Sequence, residues 1–576
     1  MSTKTDKGFF GHPSGLASLF ATEMWERFSY YGMRALLVLY LTATFAQGGF
    51  GLDDNAALAI YGIFTGLVYL TPIIGGMLAD KILGQRKAIY IGAFTMAIGQ
   101  LVLAASTMVS PLGNEPTAIK ETLLYSGLGL LILGNGFFKP NISTMVGEMY
   151  DNNDPRKDGG FTIFYMGINL GAFLSPVIAG TLGEVDKAEI PAVAGHIGNL
   201  TLYDIPYWGY GFLVAGIGMI IGTVWFFLRS HTLDQIGLPP KYKGEKTRIL
   251  MRDWGHVVLY TLAMVAIVVG FILGWSSLPK LVEKIIIGVV LVFGVVYLLF
   301  IIVKNTEGGA EWSRVGVIMV LCLGNIFFWS GFEQAGGTFN IFARDSVNRV
   351  LQTSQIEWFT LILGIALLAY WGYLKFAKNK NNKACLISGL LVVAVYFILP
   401  VWVFTEPTLT IKASLFQSIN AMAIFVFAPV FTVMWMKLDK IKRNPSTPLK
   451  FGIGMLLLSI GFFVIALVNE RALKGVLVAP FWLVLVYLLH TWGELSLSPI
   501  GLSMVTKLSP PKIVSTMMGI WFASTALGNY LAASMKKIVE AFDLPLFWFI
   551  AVETLIAAIV LIIISPWLKK MMRGIK

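Results

Sequence analysis

Charge and cysteine are what this chain of 576 residues has least of. Asp, Glu, Lys and Arg make up 13% of it and hydrophobic residues 56%, against ~25% charged in an ordinary soluble domain. A chain so poor in charge cannot cover a water-soluble globule. Its apolar runs are continuous rather than alternating, which excludes an outer-membrane barrel. Only Cys322 and Cys385 are present, both within apolar runs, so neither a disulfide framework nor a cysteine metal site is implied. Nucleotide-binding glycine loops, metal clusters and catalytic-triad spacings are missing too, which disfavours a membrane enzyme or sensor and leads us to expect no cofactor and no metal. The opening MSTKTDKGFFGH lacks a cleavable signal pattern, and a cytoplasmic N-terminus is expected.

What is present is membrane sequence. A span needs ~20 apolar residues, and candidates lie near 16–46, 56–79, 87–109, 120–148, 160–182 and 206–229. A basic linker over 230–254 follows, too short for a catalytic domain. Two further runs, 255–276 and 284–304, read as a hairpin. Then come 314–342, 355–376, 384–404, 413–438, 449–468, 476–507, 513–537 and 545–568, which makes sixteen expected spans. With the N-terminus inside, the inner loops collect Lys81, Arg86 and Lys87, then Arg156 and Lys157, then Lys375 to Lys383, Lys437 to Lys450 and the tail KKMMRGIK. The net charge of +12 is therefore explained by the positive-inside rule rather than by a nucleic-acid partner. Both termini are expected in the cytoplasm.

The stretch EMWERFSYYGMR, Glu23 to Arg34, is anomalous inside such a span. Each charge at mid-membrane costs ~3 kcal/mol on insertion scales, so four there must face a polar cavity and pair with one another. Glu23 and Arg27 have the favourable acid-first i to i+4 spacing. Arg27, Tyr31 and Arg34 continue that helix face and Glu26 flanks it. Lys139 lies deep in another apolar run, just before Pro140, and charge logic gives it Glu23 and Glu26 as partners. Glu333 stands in an apolar run with no base beside it, one turn from Trp329. Glu494 falls between Gly493 and Pro499, where a local break in the helix is expected.

Six spans precede the basic linker and six remain after it when the two hairpins are set aside, the pattern of two repeated bundles with a site between them. The loop GGMLADKILGQRK at 75–87 resembles the cytoplasmic motif of the major facilitator superfamily, in which Asp80, Gly84 and Arg86 would act as a gating latch. ExxERFxYYG, GNGFFKPNIS at 134–143, FTIFYMGINLGAF at 161–173, FWSGFEQ at 328–334, GELSLSPIGLSMVTKLSP at 493–510 and MMGIWFASTALGNYL at 517–531 together resemble, in order and over most of the chain, the proton-dependent oligopeptide transporter (POT, or PTR) family of bacteria.

The resemblance implies an all-α major facilitator fold: a first bundle over 1–229, the linker 230–254, an extra hairpin at 255–304, core helix 7 within 305–354, an inserted hairpin at 355–404, and core helices 8–12 with a cytoplasmic tail over 405–576. It implies proton-coupled symport of di- and tripeptides in the cell inner membrane. Proton coupling would fall to Glu23, Glu26, Arg27, Lys139 and Glu333. Arg27, Arg34 and Lys139 would face the peptide carboxylate, and Glu494 its amino terminus. Tyr31, Tyr69, Trp329 and Trp521 would line the side-chain space. Tyr165, Asn169, Asn420 and Ser498 complete the expected substrate set, Asn169 and Asn420 on the peptide backbone. The alternatives are uptake of nitrate or of a peptide-like compound; Glu494 would repel an anion. Peptide, protons and lipid are thus the expected partners, with a monomeric carrier. The short NERALKG loop at 469–475 leaves no room for the large outer domain of animal relatives.

Overall fold

The computed structural model describes residues 8–110, 116–185, 193–239, 302–354 and 407–575, apart from a few loop positions. Both expected hairpins, 255–304 and 355–404, lie almost wholly outside the described residues. What is described is helical apart from two short strand pairs. The first group comprises α1 (Gly15–Thr42), α2 (Asp54–Leu70, continued by Pro72–Leu78 and Ala79–Leu83), α3 (Gln85–Met108), α4 (Ala118–Glu148), α5 (Lys157–Ser175, continued by Pro176–Gly180 and Thr181–Gly183) and α6 (Tyr207–Arg229). The second comprises α7 (Gly308–Phe332, continued by Glu333–Gly336 and Thr338–Asp345), α8 (Ala413–Gln417 running into Ser418–Lys440), α9 (Thr447–Ala472), α10 (Pro480–Leu508), α11 (Val514–Glu540) and α12 (Leu546–Met571). Eight of these rods are long and apolar enough to cross a membrane.

Local chemistry fixes the ends. The Asp53 carboxylate accepts from the Ala56 N–H at 3.0 Å and starts α2, and Thr117 does the same for α4 through Lys120, satisfying donors that a helix N-terminus leaves unpaired. Prolines open α9 and α10, where their missing N–H costs nothing. Pro499 does not break α10, which runs on to Leu508; the expected local opening beside Glu494 is absent. The break falls in α7 instead, at Glu333, where the α-helix gives way to a 3₁₀ turn.

Within each group the helices pack on their own members: α3 on α4 and α6, α1 on α5 and α6; then α9 on α10 and α12, α7 on α11. The groups meet along two seams, α2 against α11 and α5 against α8. Glycines permit the closest crossing: a Cβ on Gly75 would overlap the Gly136 carbonyl where α2 meets α4. We call the face holding both chain ends proximal and the opposite face distal. Two short ladders sit on the distal face, β1 (Val193–Ile197) with β2 (Leu200–Tyr203), and β3 (Val350–Gln352) with β4 (Thr408–Thr410).

Candidate binding cavity and the distal seam

A small cavity lies between the two groups, walled by Tyr31 and Arg34 of α1, Gln417 and Asn420 of α8, and Tyr487 and His490 of α10. It lies beside a buried ion pair. Arg34 Nη2 stands 2.7 Å from Glu333 Oε2, its Nε donates to the Tyr61 hydroxyl at 2.8 Å, and that hydroxyl donates to Glu333 at 3.2 Å. The base that sequence could not find beside Glu333 thus comes from the other group, with Tyr61 as a bridge. Tyr61 was not foreseen; its signal was its place at the head of YGIFTGLVYLTP, two turns before Tyr69.

Behind Asn420 in the cavity wall stands an acid. Asn420 donates to Glu494 Oε2 at 2.9 Å and to Thr491 Oγ1 at 3.0 Å, so its amide orients the carboxylate. One turn before Tyr31 on α1, Arg27 pairs with Glu23 at 3.2 Å and with Glu26, which also accepts from Asn135 at 3.4 Å. Glu23 Oε2 and Arg27 Nη2 remain buried without a hydrogen-bond partner. That leaves capacity for a proton on one and an anionic oxygen on the other.

Other expected residues are placed differently. The Lys139 ammonium sits 3.7 Å over the Tyr69 ring, and Glu23 and Glu26 attract it from beyond ion-pair distance; an aromatic face is its closest described partner. Asn169 spends its amide on the Tyr165 carbonyl at 2.9 Å, while Tyr165 itself is exposed. Trp329 is held by Asn325, which also donates to Ser524 and Thr525 of α11. Trp521 is buried against Phe451, away from the cavity wall. His490, excluded from the expected set, lines the cavity, as does Gln417, whose Nε2 is an unused buried donor. The side chains of Ser498 and Asp80 lie outside the described residues.

On the proximal face Arg86 donates to the carbonyls of Asp234 and Ile236 at 2.5 and 2.6 Å. Gly84 beside it has φ +73°, and a Cβ there would run into the backbone of residues 237–239. The motif therefore clamps the segment that follows α6.

Polar links between the groups lie toward the distal face among the described residues. Besides Arg34–Glu333 they include Lys536–Asp54 at 2.6 Å, Asn55–Glu540 at 2.9 Å, Arg344–Thr42 at 2.5 Å and Asn340 to the Ala35 carbonyl at 3.0 Å. A polar chamber between two helix groups, with an ion pair bridging them and one face bolted, defines a multi-pass membrane transporter rather than an enzyme.

The comparisons make the class specific. The sequence profile of the POT family matches residues 86–379 and 404–553, and the chain belongs to that family. Among curated relatives it is 33% identical to the peptide transporter YePEPT of Yersinia enterocolitica, over 100% of this chain and 98% of the other. It is 31% identical to a di-/tripeptide transporter of Lactococcus lactis, over 100% and 99%. Among solved structures, a POT family transporter in complex with a thioalcohol conjugated peptide superposes with a TM-score of 0.75 at 28% identity, covering 99% of both chains. The peptide transporter POT in complex with sulfate gives 0.71 at 32% identity, covering 98% of this chain and 97% of that one.

Proposed function

We propose that this transporter carries di- and tripeptides into the cell together with protons, by alternating access between two six-helix bundles of the major facilitator type. The carrying observation is polarity across the cavity: Arg34 of the first bundle faces Asn420 and the Glu494 it orients in the second. A zwitterion fits between them, carboxylate toward the bases and ammonium toward Glu494. The ligands and names of the relatives support a peptide, and Glu494 disfavours nitrate. Lys139, Arg27, Tyr31, Tyr69 and Asn169 are assigned to binding as well, and Glu23, Glu26 and Glu333 to proton coupling.

The proximal helix ends and loops carry Arg86, Lys87, Lys437, Lys440, Arg443, Lys569 and Lys570, and the positive-inside rule therefore supports a cytoplasmic proximal face and a distal face on the outside of an inner membrane. With the two further hairpins at 255–304 and 355–404 the chain would make sixteen spans, acting as a monomer. A proton arriving on Glu333 removes the charge that holds Arg34 across the seam. The freed guanidinium can then take the peptide carboxylate, so proton and peptide reinforce one another. Inward protons release about 2.3 kcal/mol per charge per 100 mV, enough to concentrate peptide.

The test is uptake of labelled dialanine by proteoliposomes under an inward proton gradient and potential. Accumulation that collapses with an uncoupler is expected. Uptake indifferent to both gradient and uncoupler refutes proton coupling, and no dialanine uptake at all refutes the substrate.

A further inference from the structure

We propose that Glu184, at the distal end of α5, is a latch that sets how readily the outer side opens: a carboxylate of one bundle caps a helix of the other. Glu184 is 5% exposed. Its Oε1 accepts the Ala413 N–H at 2.7 Å and its Oε2 the Ser414 N–H at 2.8 Å. Arg349 Nη1 lies 3.6 Å away, and the backbone carbonyl of Glu184 accepts from Lys412 Nζ at 3.0 Å.

A helix leaves its first N–H groups without internal partners, and a side chain just before the helix ordinarily supplies the acceptor. In α8 that position is Lys412, which has no acceptor to offer, and its side chain makes no cap. The cap comes from α5 instead. Both N–H groups and a guanidinium converge on one carboxylate, the stronger, charge-assisted kind of hydrogen bond. Four residues earlier Gly180 lets α5 and α8 touch: a Cβ there would overlap Ser414 Oγ. Arg34–Glu333 and Lys536–Asp54 bind the α1 and α2 side of the seam to α7 and α11. Glu184 fastens the α5–α8 side.

These bonds exist only while the distal face is shut. Separating α5 from α8 strands two helix N–H groups and takes the anion from Arg349, so the latch stabilises the closed form alone. Removing it lowers the closed-to-open ratio by ~10-fold. External peptide meets only the open form, so its KM should fall by a factor approaching the rise in open population. Maximal rate should fall too, because reclosure is slower.

The experiment compares Glu184→Ala and Glu184→Gln with the parent, both native cysteines replaced by serine. Spin labels on Ala46 and Lys474, exposed on distal loops of the two bundles, report the distal opening by pulsed electron resonance. A longer-distance population and a several-fold lower KM for external dialanine are expected, larger for alanine than for glutamine. Gly180→Ala, which wedges the same contact with Glu184 intact, should also lengthen the distances. Unchanged distances and KM in the Glu184 variants overturn the proposal. So does a lower yield of folded carrier that keeps parental distances and KM, the signature of an acid that only aids folding. The proposal rests on the alternating-access reading, which fails separately if the parent's distances respond to neither dialanine nor a proton gradient.

Discussion

Replacing Glu333 by glutamine preserves its shape while deleting the charge that Arg34 meets at 2.7 Å. Both partners are buried, with side chains 8% and 4% exposed. Breaking a buried pair by removing one partner costs ~3–5 kcal/mol, because the remaining charge is left uncompensated. Glutamine still offers Arg34 a neutral oxygen, which returns ~1 kcal/mol. The net loss of ~2–4 kcal/mol falls on the distally closed state, where the pair exists, and at 1.4 kcal/mol per decade this is a shift of roughly 30- to 700-fold toward opening. Leu58 reports it: the side chain is 1% exposed and lies against Gly337 across the same seam. A cysteine at Leu58 should react with an impermeant maleimide from the distal side ~30-fold faster or more in Glu333→Gln, levelling off once the open form dominates. Proton-driven dialanine uptake should collapse in the same variant while counterflow exchange continues, since exchange requires no net proton movement. A labelling rate within ~3-fold of the parent would refute the bolt, because even the lower bound of the pair's worth predicts ten times that. Intact driven uptake would refute Glu333 as a proton carrier.

Two other substitutions test parts of the structure that do not share this ion pair. Asn420→Ala removes the amide that orients Glu494; KM for dialanine should rise ~10- to 140-fold, for the ~1.5–3 kcal/mol of a hydrogen bond to a charged group, with little change for an N-acetylated dipeptide that transport still accepts. Gly84→Ala forces a Cβ into a φ of +73° against residues 237–239; thermal stability in detergent should fall by ~1–3 kcal/mol, read as a lower midpoint, with KM unchanged.

Charge in the wrong solvent is what made this molecule legible. Glu23, Glu26, Arg27, Arg34, Lys139, Glu333 and Glu494 each contradict an apolar run, and all but Lys139 make charged or hydrogen-bonded links at or beside the cavity. Residues that break no local rule stayed hidden. Tyr61 is an ordinary aromatic in an apolar helix, and its partner Glu333 is 272 positions away. Glu184 falls at a span's end, where an acid is unremarkable, and its partners are backbone groups 229 and 230 residues on. Charge logic was incomplete at Lys139, because a lysine can be stabilised by an aromatic face as well as by an acid. Proline misled too: the helix continues through Pro499, since a neighbouring helix or a side chain can satisfy the backbone group that proline frees in a bundle.

The β3–β4 ladder pairs Gln352 with Thr408 across an antiparallel register, so the chain leaves the described fold and re-enters it through adjacent doors. Paired Cα atoms in such a ladder stand only ~4.5–5.5 Å apart, a gap that a tight turn can bridge. The two described stretches that flank this segment therefore stand side by side on the carrier. Genetically, that makes the ladder a natural splice point, since a join there would leave β3 and β4 in register.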